Sequence, residues 1–173
     1  MEKKKYKYDH KVINELVEGT LEWYQIKEMM SSHKDPERFE VYREVMQSRV
    51  GWDDPILLPL GLHLYIVLKE NGERIVKCDC GHEFCDYKDN WKLHANIFVR
   101  DTEEKMNEVY PVLMAPDPEW QVIREYYCPR CGTQLEVEAV TPWYPVIKDF
   151  EPDIDTFYDE WVKLPFPEVK SNS

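Results

Sequence analysis

The sequence predicts an α+β fold: a helical N-terminal region, an antiparallel β core split by a long insertion, and a short amphipathic helix near the C-terminus. Three observations carry this reading. Apolar residues recur at three-and-four spacing through the first fifty positions; short runs of strand-forming residues bounded by turn residues dominate the middle; and two cysteine pairs, each followed by glycine, close two of those runs. The chain has 173 residues, 43% of them hydrophobic and 13% aromatic, which is enough apolar material for a packed core and excludes disorder of the whole chain.

Ile13, Leu16, Val17, Thr20 and Tyr24 fall on one helical face, with Asp9 placed to cap the start and Ser31-Ser32 near the end, so the periodicity predicts one helix across this span. Asp35-Pro36-Glu37 supplies a cap, a proline at the first helical position and an early acid, and Phe39, Tyr42 and Met46 continue as the stripe of a second helix to about Arg49. Gly51 to Pro55 ends it, and Pro59 and Gly61 predict irregular backbone up to residue 61. His63 to Lys69 and Glu73 to Lys77 read as strands joined through Asn71-Gly72, the residue pair of a type I′ hairpin turn. In the insertion, residues 86–118, Ala95, Ile97 and Val99 alternate briefly, and Asp101-Thr102-Glu103-Glu104 resembles a capping box opening a short helix through Met106, Val109 and Tyr110. Gln121 to Tyr127 and Leu135 to Val140 predict two more strands around a cysteine-bearing turn. Ile154, Phe157, Tyr158 and Trp161 then mark the amphipathic helix, suited either to its own domain or to a partner. The expected division is 1–61 as a helical docking region, 62–141 as the β domain, and 142–173 as an extended arm.

Charge and hydropathy exclude several functions. With 22 basic against 34 acidic side chains the net charge is −12, which repels a phosphate backbone, so nucleic acid is not an expected partner. The longest apolar run, Ile56 to Leu68, is broken by Pro59, Gly61 and His63 and falls short of the ~18 residues of a membrane span. Met1 to Tyr6 carries the charge of an export signal, but Asp9-His10-Lys11 stands where its apolar part belongs. A cytoplasmic location follows as the expectation. There, five cysteines suit a metal site better than disulfides.

Cys78-Asp79-Cys80-Gly81-His82 and Cys128-Pro129-Arg130-Cys131-Gly132 are two turns at the ends of predicted strands. A tetrahedral zinc takes four thiolates at about 2.3 Å, and a glycine after each pair lets the turn fold tightly, so the pattern reads as a zinc-ribbon-like site. The first turn has one residue between its thiols where two is commoner, and 47 residues separate Cys80 from Cys128, so the insertion has to leave the ribbon between the knuckles. Cys78, Cys80, Cys128 and Cys131 are the expected ligands, with Cys85 spare; Cys85 and His82 stand as alternative donors. Four thiolates leave no open coordination position, so the site is structural. Iron in a rubredoxin-like site and a thioredoxin-type redox pair use the same residues less well, the second because a strand rather than a helix follows Cys128. Cys85 with His94 as nucleophile and base lacks any oxyanion hole in the sequence, and the acidic run Asp149 to Asp155 reads as a solvated face before a cation site.

Cys78 to Phe84, Asn90 to Ala95, Val99 to Lys105, Asp117 to Trp120, Tyr127 to Val140 and Pro152 to Trp161, in this order, resemble the gamma subunits of acetone carboxylases. The resemblance implies a cytoplasmic complex of alpha, beta and gamma chains, two copies of each, that carboxylates acetone to acetoacetate at the expense of ATP. It places ATP, magnesium and a transition metal such as manganese in the large chains, and leaves the small chain a zinc-carrying scaffold without catalytic residues. Acetophenone carboxylases have a similar small subunit, so the ketone stays open. A free-standing zinc-ribbon adaptor and a small hydrolase using Cys85 are the other readings.

Overall fold

The computed structural model describes residues 7–35, 37–111 and 113–169; Met1 to Tyr6 and Pro36 lie outside them. The helical region begins at α1 (His10–Val17), where the Asp9 carboxylate accepts the Val12 N–H at 3.0 Å. The single helix expected across Asp9 to Ser31 is two. Gly19, at φ +71°, takes the left-handed conformation that ends α1, and α2 (Trp23–Ser31) follows as a separate helix. The break lets Leu21 and Met29 join Ile13, Val41 and Val45 in one cluster, and it leaves Trp23, Tyr24 and Met30 exposed. The helix α3 (Arg38–Arg49) is buried on two sides: Val41 and Val45 face that cluster, while Met46 packs on the sheet beside Ile56, Tyr65 and Val67.

Two antiparallel sheets follow. The first holds β1 (Ile56–Pro59), β2 (Leu64–Leu68), β3 (Arg74–Cys78) and β4 (Glu83–Asp86) in that order. Residues 56–59, expected to be irregular, pair with β2 from Ile56↔Val67 to Pro59↔Tyr65. Proline is tolerated there because β1 is an edge strand and Pro59 its last residue. The β2–β3 hairpin forms at the expected place with a different turn. Among the central residues only Gly72 has positive φ, at +85°, and Asn71 turns its side chain to accept the Glu73 N–H at 3.0 Å. With Gly72 N–H on Lys69 O and Lys69 N–H on Glu73 O, this is a three-residue loop with a glycine bulge.

The second sheet orders β5 (Asn96–Arg100), β6 (Val122–Tyr127) and β7 (Gln134–Val140). Of the stretch between the knuckles, the 3₁₀ turn Trp91–His94 sends Trp91 into the core with Cys78, Phe84, Tyr126 and Cys128. The short α4 (Glu103–Asn107) is capped by Thr102, which accepts the Lys105 N–H at 3.3 Å. Position 105 is a lysine, so the return bond of a capping box is missing, and Lys105 instead pairs with Asp101 at 2.6 Å. The C-terminal segment crosses back over the first sheet. Its helix begins as α5 (Ile154–Thr156), widens into a π turn over Phe157–Val162, and stops at Lys163 with φ +54°. Ile154 and Tyr158 pack on Leu57 and Ile66, and the Tyr158 hydroxyl donates to Leu57 O at 2.8 Å, so this face docks on its own chain.

Candidate metal centre

The strands β3 and β6 each run into a tight turn that carries two cysteines. At the first, Gly81 (φ +87°) donates to Cys78 O at 2.8 Å; at the second, Gly132 (φ +70°) donates to Cys128 O at 2.9 Å. The two turns meet face to face. The thiols of Cys78, Cys80, Cys128 and Cys131 all lie within 4.8 Å of one another, with Cys78 Sγ 3.8 Å from Cys131 Sγ and Cys80 Sγ 3.7 Å from Cys128 Sγ. All four are free thiols, well beyond disulfide bonding distance. A tetrahedron with metal–sulfur bonds of 2.3 Å has edges of about 3.8 Å, so the spacing fits a zinc ion.

The electrostatics divide the four. Burial pushes the Cys78 thiol far up, the Cys80 backbone N–H offsets part of that rise while the Cys80 and Cys128 thiols add to it, and burial likewise raises Cys80. Cys131 is exposed, 3.2 Å from the Thr133 hydroxyl, and that hydroxyl, donating to a thiolate, pulls it down to about 6. A dication is the group that stabilises buried thiolates held this close together.

The remaining sequence candidates are placed elsewhere. Cys85 sits on β4, half-buried against the core and outside the four-thiol group; burial, then Asp89 and Asp86, push it up to about 11, the wrong direction for a nucleophile. The His82 ring packs edge-on to Phe84 with centroids 4.8 Å apart and is not among the clustered donors. From the acidic run, Asp149 joins Glu136 and Glu138, and the fully buried Lys92 ammonium stands among the three carboxylates at 2.5 to 2.7 Å, where a metal would sit. Sequence reasoning missed Trp52, which it used only to end a helix. Its indole N–H reaches Cys78 O at 3.2 Å and Asp79 O at 3.0 Å, across 26 and 27 residues that no local pattern links.

Fold and site together define a small α+β protein organised around two cysteine knuckles that face each other across two sheets. A profile of the family described as acetone carboxylase gamma subunit matches residues 50–162, and the chain belongs to that family. It is 57% identical over 162 residues to the acetone carboxylase gamma subunit of Xanthobacter autotrophicus (strain ATCC BAA-1158 / Py2), covering 93% of this chain and 96% of that one. It is also 34% identical over 94 residues to the acetophenone carboxylase beta subunit of Aromatoleum aromaticum (strain DSM 19018 / LMG 30748 / EbN1), covering 53% of this chain and 73% of that protein. No helix among the described residues is long and apolar enough to cross a membrane.

Proposed function

We propose that this chain is the small structural subunit of a cytoplasmic, ATP-dependent carboxylase that joins acetone and carbon dioxide to acetoacetate, with the chemistry carried by larger alpha and beta chains present in two copies each. The observation that carries the reading is the end-to-end likeness to a named acetone carboxylase gamma subunit. Cys78, Cys80, Cys128 and Cys131 hold one zinc ion, whose four thiolates leave no position for water or substrate, so it joins the two sheets rather than reacting. ATP, magnesium and a transition metal such as manganese belong to the partner chains. Residues 1–61 act as the docking region, 62–141 as the metal-bearing domain and 142–173 as the arm. Large apolar side chains left in solvent support docking, among them Trp23, Tyr24 and Met30 on α2 and Trp143 and Trp161 on the arm.

The test is a native mass spectrum with metal analysis of what co-purifies with the tagged chain from its own cells. Two larger chains in equal ratio with this one, and one zinc per copy, are the expected result. A lone chain would overturn the proposal. The relative from Aromatoleum favours acetophenone as the second substrate reading, and carbon-dioxide fixation by the purified complex with each ketone in turn decides between them.

A further inference from the structure

The first knuckle places one residue, Asp79, between its thiols, and so tight a loop turns the carbonyls of Cys78 and Asp79 to the same side. Trp52 meets both with one bifurcated indole N–H, and its ring lies so close that a Cβ built on Gly81 would come within 3.3 Å of Trp52 Cδ1. Gly81 is therefore held between the indole and Arg130 of the second knuckle, whose guanidinium nitrogen would be 3.5 Å from that Cβ. The indole is itself fixed. Gln47 of α3 donates to the carbonyls of Trp52 and Asp54 at 3.3 and 3.4 Å and accepts the Ile56 N–H at 2.8 Å, Lys77 Nζ stands 4.9 Å from the ring centroid, and Tyr65 packs edge-on at 6.0 Å.

We infer that Trp52 is the positioning residue of the metal centre: its N–H holds the Cys78-Asp79-Cys80 loop in the conformation that aims both thiols at the ion, and Gln47 ties that hold to α3. The inference rests on the reading of Cys78, Cys80, Cys128 and Cys131 as zinc ligands. Partners that orient ligands from outside the coordination shell change metal affinity by about 10- to 100-fold when removed, and Trp52 fits that role for a knuckle lacking the usual second spacer.

The experiment titrates the full-length chain, wild type and Trp52→Phe, with zinc in competition with a chromogenic chelator. The expected result is a dissociation constant about 10- to 100-fold weaker for Trp52→Phe, while far-UV circular dichroism and the thiolate-to-metal charge-transfer band of the cobalt-substituted protein stay as in the wild type at saturating metal. A purely packing role would instead lower the melting temperature equally with and without zinc and leave the affinity unchanged. An affinity within threefold of wild type overturns the inference and leaves the zinc reading standing, whereas a wild-type chain that binds no zinc overturns both. Should Trp52→Phe fail to fold, benzothienylalanine at position 52 keeps the ring shape, removes the N–H alone, and is held to the same two outcomes.

Discussion

Lys92 has no exposed surface, and its ammonium is shared by Glu136 at 2.7 Å, Glu138 at 2.5 Å and Asp149 at 2.7 Å. Its removal leaves three carboxylates together with only the Arg124 guanidinium, 4.0 Å from Glu138, as counter-charge, the costly half of breaking a buried ion pair. Lys92→Met is therefore expected to lose about 3 kcal/mol of stability in urea unfolding at neutral pH, with the deficit narrowing toward pH ~4 as the acids take up protons. Glu125 gives a pH-dependent counterpart. Burial raises its carboxyl, but the Arg100 guanidinium at 2.8 Å and the Tyr127 hydroxyl outweigh burial, and the net direction is down. A carboxyl depressed in the folded state stabilises above its unfolded value of ~4.3, and the contribution is lost as pH falls through the lower folded value. Glu125→Gln should thus melt lower than wild type at pH 7 and converge with it below about pH 3, as thermal melts across pH would read.

At the scale of elements, the joint between α1 and α2 depends on one backbone angle. Gly19 stands at φ +71° with open space around it, so an added methyl meets no neighbour and the cost of Gly19→Ala is conformational. About 1 kcal/mol is expected, read as a lower denaturant midpoint at unchanged slope. The break at Gly19 shows where periodicity misleads: Thr20 and Tyr24 continue the helical stripe of Ile13 in the sequence, yet Leu21, off that stripe, is the residue the core takes. Residues 56–59 teach the same lesson for strands. Pro59 argues against a strand until β2 supplies a partner on one side only, after which its missing N–H faces away from the ladder. The β2–β3 hairpin, by contrast, was legible because Asn71-Gly72 act within their own turn.

For the whole molecule, an ion held by the four thiols would join two sheets that also share one core, in which Leu64, Val76 and Phe84 pack with Trp91 and Tyr126. Cys78 ends β3 and Cys80 lies in the turn from β3 to β4 of the first sheet, Cys128 and Cys131 join β6 to β7 of the second, and the core around Trp91 and Tyr126 packs directly behind the thiols. A structural zinc contributes about 10 to 16 kcal/mol of apparent binding free energy, comparable with the ~5 to 15 kcal/mol of a whole domain. Chelation of zinc is expected to abolish the near-UV signal of the Trp91 and Tyr126 region and the fixed order of the two sheets, and zinc but not magnesium should restore them. Persistence of that signal in fully chelated protein would count against a structural ion.

The sequence by itself determined the α+β class, the hairpin that carries Cys78, the strands around Cys128, and the family, because each rests on spacing within a few residues or on motifs in fixed order. Only the tertiary structure decided that Cys85 stands apart from the four thiols, that Lys92 fills the carboxylate cluster, and that Trp52 reaches the first knuckle. Those outcomes depend on side chains brought together from 26 to 57 positions apart, such as Trp52 with Cys78 and Asp149 with Lys92, or on which face of a strand a cysteine occupies. Local periodicity encodes the direction of a side chain relative to its own element. Which other element lies in that direction is set by how the sheets and helices pack.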